Sequence, residues 1–156
     1  MLDGMTRGFE GRHRFPPGTN QVRLANDDDQ EGARALARHA LAASDLVTFY
    51  RSVGDVVWED IGNGYFIHPV RDILEHLMEY GAVRVGEGQE PSGLVIGSDG
   101  SGRSYVMGPQ GAIHRTRSAS LEEPELDQVA DDLRHFLELL EQSLARFVAT
   151  GDPGPL

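Results

Sequence analysis

Val95-Ile96-Gly97-Ser98-Asp99-Gly100-Ser101-Gly102 carries a short apolar run into a turn built from the residue types that reverse a chain. In such a turn the Asp99 side chain can bond the amides that follow it, and glycines such as Gly100 and Gly102 supply positive φ angles. Short apolar or alternating runs lie on both sides: Gly93 to Gly97 and Arg103 to Met107, then Ala112 to Thr116, with Ala82-Val83-Arg84-Val85 upstream. Glycine-bearing turns punctuate all of them, which predicts an antiparallel meander.

Working outward, a further strand pair is predicted at Val56-Val57-Trp58 and Tyr65-Phe66-Ile67, reversed through Gly62-Asn63-Gly64. Between the two strand groups Pro69 opens a helix with Val70, Ile73, Leu74, Leu77 and Met78 at helical spacing, and Gly81 stops it. Earlier, from Glu31, the positions Leu36, Ala40, Ala43, Val47 and Tyr50 follow a helical period, and Ser44-Asp45 is expected to cap a shorter helix ending near Gly54. After the acidic stretch Glu122-Glu123-Pro124-Glu125, the residues Val129, Leu133, Phe136, Leu137, Leu140, Leu144 and Phe147 share one stripe of a closing helix. Its first turn is expected to be acidic, which suits the helix dipole. An apolar helix face needs a sheet to cover, so the expected fold class is α+β, with helices packed on one mainly antiparallel sheet.

A length of 156 residues suits one domain. The expected division is a mobile polar arm over 1–30, a domain over 31–148 and a frayed C-terminal tail over 149–156, since neither end carries an apolar period. The formal charge is −11, from 25 acidic against 14 basic side chains. A field of that sign repels phosphate backbones and anionic membrane surfaces, and it draws in basic proteins. Nucleic acid and membrane are therefore not expected as partners. The absence of cysteine excludes disulfides, thiolate metal sites and a cysteine nucleophile. With no signal-like or membrane-spanning run, a cytoplasmic location is expected.

Motifs that carry chemistry are sparse. None of the six histidines, His13, His39, His68, His76, His114 and His135, pairs with another at ligand spacing, and His135 with Glu138 makes only half of a helical metal site. Oxygen ligands alternate along Asp99-Gly100-Ser101-Gly102-Arg103-Ser104, but the later bidentate glutamate of a calcium loop is missing, so a tight structural turn is expected. Glu59 and Asp60, adjacent on what reads as a strand, should point to opposite faces rather than share a substrate. No nucleophile elbow, phosphate loop or dinucleotide fingerprint occurs, so no catalytic residue, metal or cofactor is assigned. An enzyme would need a pocket around a group such as His68 or His114. Trp58, Tyr65 and Phe66 cluster beside one glycine turn, either as core anchors of the first hairpin or as part-exposed anchors for a partner.

Four pieces occur in a recognisable order: Phe49-Tyr50-Arg51-Ser52-Val53-Gly54, Trp58-Glu59-Asp60-Ile61-Gly62-Asn63-Gly64-Tyr65-Phe66-Ile67, Val95 to Gly102, and Val129-Ala130-Asp131-Asp132-Leu133-Arg134-His135-Phe136-Leu137. Over roughly residues 44 to 142 the chain resembles the SUKH (Smi/Knr-like) superfamily. The resemblance implies helices against a mainly antiparallel sheet and a non-enzymatic, protein-binding role. Bacterial members are similar to immunity proteins that neutralise polymorphic toxins, often nucleases; fungal relatives resemble regulators of cell-wall assembly. The expectation is an immunity protein whose acidic surface occludes a basic toxin domain, with a housekeeping regulatory or scaffold protein as the alternative. Candidate contacts are Trp58, Glu59, Asp60, Tyr65, Glu122, Glu123, Glu125 and Asp131, while Asp99, Gly100 and Gly102 form the structural turn.

Overall fold

A computed structural model describes residues 20–39, 41–86, 91–122, 124–154 and 156. The elements in order are β1 (Asn20–Leu24), α1 (Asp27–Ala37), α2 (Ser44–Ser52), β2 (Val53–Trp58), β3 (Tyr65–Ile67), α3 (Val70–Tyr80), β4 (Leu94–Asp99), β5 (Ser104–Met107), β6 (Ile113–Thr116), β7 (Leu126–Ala130) and α4 (Leu133–Thr150). Among the described residues seven strands form one sheet in sequence order, and every neighbouring pair is antiparallel. The fold is α+β, four helices on an antiparallel sheet.

Alternation divides the sheet into two faces. Val56, Trp58, Tyr65, Ile67, Ile96, Tyr105 and Ile113 meet Leu46 and Tyr50 of α2, Ile73 of α3, and Phe136 and Leu140 of α4 in the main core. The opposite face carries a smaller cluster in which Val95 and Val106 are covered by Val83, Val85, Leu121 and Leu126. The two runs of the first hairpin pair as expected, with Val56 opposite Ile67 and Trp58 opposite Tyr65, and Gly62 and Gly64 take positive φ. Helix α3 likewise ends at Gly81, whose φ is 77°.

Several elements differ from the expectation. The arm expected over 1–30 is structured from Asn20 onward: Asn20–Leu24 is an edge strand on β2, and Asp27-Asp28-Asp29 is the first turn of α1 rather than a polar run. A reciprocal capping box explains it, because Asn26 Oδ1 accepts from the Asp29 amide and Asp29 Oδ2 accepts from the Asn26 amide, both at 2.9 Å. Arg23 then ties β1 down, donating to Asp29 on α1 and to Asp55 on β2. Ser44 does not cap α2; Ala43 holds that position without a side-chain bond. Of 82–85 only Val83 pairs, in a single bridge to Gly93.

The closing helix begins later than the periodicity suggested. Asp132 Oδ1 accepts from the His135 amide at 2.8 Å and sets the helix start, while Leu126–Ala130 pairs with β6. Val129 therefore sits on a strand, and the acidic stretch lies in the β6–β7 loop, leaving the first turn of α4 without acids. The tail expected to fray folds back instead: Gly151 closes α4 with its amide on Phe147 O, a Cβ on Gly62 would meet Pro153 at 2.7 Å, and Leu156 packs on the main core.

In a sequential meander alternate connections share an end. The β2–β3, β4–β5 and β6–β7 turns thus emerge together at one end of the sheet, and the other connections leave from the opposite end.

Candidate functional site

The shared end is organised by Asp99. Its Oδ1 accepts from the Ser101 amide (2.9 Å), the Ser101 hydroxyl (2.6 Å) and the Arg103 amide (3.1 Å), and its Oδ2 accepts from Arg103 Nε (2.9 Å). Burial alone would push this carboxyl up, but the Ser101 hydroxyl and amide, the Arg103 charge and the Arg103 amide outweigh it and hold it below the usual aspartate range. Gly102 takes a φ of 88° as expected, whereas Gly100 does not have a positive φ. Gly100 is needed for another reason: a Cβ there would lie 1.5 Å from the carbonyl oxygen of Asn63, and its amide donates to Gly64 O at 3.2 Å. The β4–β5 turn is thereby locked against the β2–β3 turn, and every ligand of Asp99 is internal, as a structural turn requires.

Three of the candidate carboxylates, Glu59, Asp60 and Glu125, lie on turns at this end of the sheet. Glu59 and Asp60 lie in the β2–β3 turn rather than on a strand, so the opposite-faces argument does not apply to them. The Asp60 carboxylate accepts from Asn20 Nδ2, and the Asp60 amide donates to Asn20 Oδ1 at 3.1 Å. Glu122 and Glu125 come from the β6–β7 loop, both exposed, but Glu122 is carried away from this group and lines a recess with Tyr80, Gly81 and Val83. Glu125 and Asp127 share the guanidinium of Arg117, each at 2.9 Å. Asp131 is not part of this group: it follows β7 at the opposite end, where its amide donates to His135 Nδ1 and its carboxylate accepts from Gln128. Glu123 lies outside the described residues.

Trp58 and Tyr65 are each only 6% exposed, so neither protrudes as an anchor. Burial raises the Tyr65 phenol above its ordinary range, which keeps it neutral. Trp58 lines a groove of about 600 Å3 beside the edge strand, together with Asn20, Gln21, Val22, Phe49, Val53, Val56, Leu137, Leu140, Glu141 and Leu144. Its indole N–H is shut from solvent without an acceptor among the described residues. Sequence reasoning did not find this groove. Five half-exposed residues of β1 give too short an alternation to read, and Val22, Phe49 and Leu137 are brought together from three separate elements.

Histidine chemistry is limited. His68 Nε2 lies 2.9 Å from Ser98 Oγ, and burial pushes the imidazole below its ordinary value despite the opposing pull of Asp72. Burial also lowers His114. Neither lines the groove beside β1, nor the smaller recesses near Leu121 and Pro153. Among the described residues no cluster of His, Asp and Glu could hold a metal, and no helix is long and apolar enough to cross a membrane. Compared with protein-family models and with curated proteins, the sequence matches none of them.

Proposed function

We propose that this protein acts by binding a basic protein partner through the acidic end of its sheet, as an immunity protein of the SUKH kind covering the cleft of a toxin domain. The observation that carries this reading is the gathering of charge by topology. Glu59, Asp60, Glu125 and Asp127 come from two separate turns or the strand beside them, and the strand order brings those turns to one end, with Arg103 and Arg117 already committed to Asp99 and to the Glu125–Asp127 pair. Fields of this kind raise association rates with a cationic cleft and suppress wrong partners. The Asp99 turn ties the β4–β5 turn to the β2–β3 turn that carries Glu59 and Asp60, which lowers the cost of ordering them on binding.

The test is binding between the purified protein and the product of the gene adjacent to its own, followed across salt. Nanomolar or tighter binding that weakens steadily between low and moderate ionic strength is expected. The exposed single change Glu59→Gln should reduce affinity by roughly two- to five-fold, mainly through the on-rate. A salt-independent complex, or no complex at low salt, would sink the reading.

A further inference from the structure

The groove beside β1 is apolar, open along a sheet edge, and continuous with the acidic end. Val22 on the edge strand, Phe49 on α2, and Leu137 and Leu140 on α4 form its walls, with Trp58 buried in its lining. Its volume of about 600 Å3 falls within the ~300–1,000 Å3 of recesses that take a ligand or an inserted side-chain cluster. Val22 keeps 42% exposure there, unusual for a valine on a strand that faces a helix layer. Among the described residues the only charged one in the lining is Glu141, exposed on the α4 wall, and none is cationic. Asn20, in the lining, is bonded twice to Asp60, which joins the groove to the acidic end.

From these observations we infer that the groove is a socket for the same basic protein partner, receiving an amphipathic segment whose apolar side chains are flanked by arginine or lysine. This inference rests on the reading of the acidic end as a partner-binding surface. The apolar residues of that segment fill the space above Val22 and Trp58, and its flanking cations meet Glu141 on one side and Asp60 on the other. The partition is the usual one for interfaces: the buried apolar contact supplies residence time, and the carboxylate rim supplies encounter and orientation. An acidic or uncharged amphipathic segment gains the apolar contact but meets a rim of its own sign or none to pair with.

Trp58 is the only tryptophan in the chain, so its emission reports groove occupancy directly. The probes are two synthetic peptides with leucine at identical helical spacing, one with arginine at the remaining positions and one with glutamate. Titrated into the intact protein, the Leu/Arg peptide should shift Trp58 emission saturably, and the Leu/Glu peptide should bind at least tenfold more weakly. Val22→Lys should weaken the Leu/Arg peptide about tenfold with an unchanged circular dichroism spectrum; should that variant unfold, the exposed Glu141→Gln, with a loss of about threefold, takes its place. No change in Trp58 emission, equal binding of the two peptides, or variants that bind like the parent would each overturn the inference. If the adjacent-gene product binds with the expected salt dependence while the Leu/Arg peptide leaves Trp58 unaltered, the socket fails and the acidic-end reading stands. If the peptide seats but no salt-sensitive complex forms with that product, the reverse holds.

Discussion

Replacing Asp99 by alanine tests the structural claim on which the acidic end depends. The change removes a buried carboxylate that accepts from two backbone amides, a hydroxyl and a guanidinium. Hydrogen bonds to a charged group contribute about 1.5–3 kcal/mol each, but they are not additive within one network. Ser101 and Gly102 lie at the surface, so water can satisfy part of what is lost, and Arg103 is 34% exposed, which screens its share. The expected net loss is about 2–4 kcal/mol, or a fall in Tm of roughly 5–15 °C for a domain of this size. Asp99→Asn keeps one acceptor oxygen and should lose about half as much. Urea unfolding followed by Trp58 fluorescence reads the midpoint, with the slope unchanged if only stability has moved. The pH dependence carries a sign of its own. Because the folded carboxyl titrates below its ordinary value near 3.9, its contribution is fully present above that value and fades as the pH falls through the lowered folded one. The gap between parent and Asp99→Ala should therefore close in acid. A variant as stable as the parent at pH 7 that nonetheless failed to bind the partner would refute the structural assignment and make Asp99 a contact.

Gly100→Ala should destabilise by more than about 2 kcal/mol, because its Cβ would meet a backbone carbonyl oxygen that cannot step aside, whereas Gly81→Ala, in open space at positive φ, should lose only about 1–2 kcal/mol of backbone strain; a reversed order in urea unfolding would contradict the interlocked turns. Arg23→Ala leaves two largely buried carboxylates without their cation and should lower stability by about 1–3 kcal/mol after allowance for the part-exposed guanidinium, with hydrogen exchange accelerating first at the β1 amides. The lowered His68 pKa means that the unfolded chain takes up this proton first as pH falls below about 6.5, so stability should decline from that point down to the folded value. His68→Gln should flatten part of that decline between pH 7.5 and 5.5, and an unaltered profile would remove His68 as its source.

The parts of this protein that were legible in its sequence are those whose signal is local. The hairpin from Val56 to Ile67 and the helix from Val70 to Tyr80 each carry their own period and their own glycine punctuation, and both stand where the residues placed them. The α+β class followed because the apolar stripe of α4 requires a sheet to cover. What misled was a period continuing past a cap. Val129 fits the helical stripe of α4, but the Asp132 side chain ends that continuity, and the strand Leu126–Ala130 that pairs with β6 claims the segment before it. The run Asp27-Asp28-Asp29 looked like solvated polar chain until Asn26 and Asp29 were seen to cap one another. The residue types of the Asp99 turn are readable locally, yet the sequence cannot show why Gly100 must lack a side chain, since the atom it would strike belongs to Asn63, 37 positions away in the chain. The same holds for the site. Net charge, composition and the absence of cysteine are sums over residues and are complete in the sequence. The gathering of Glu59, Asp60 and Glu125 at one end, the removal of Asp131 to the other and of Glu122 to a recess beside Tyr80 and Val83, and the groove between Val22, Phe49 and Leu137 depend on strand order and helix placement, which only long-range packing decides.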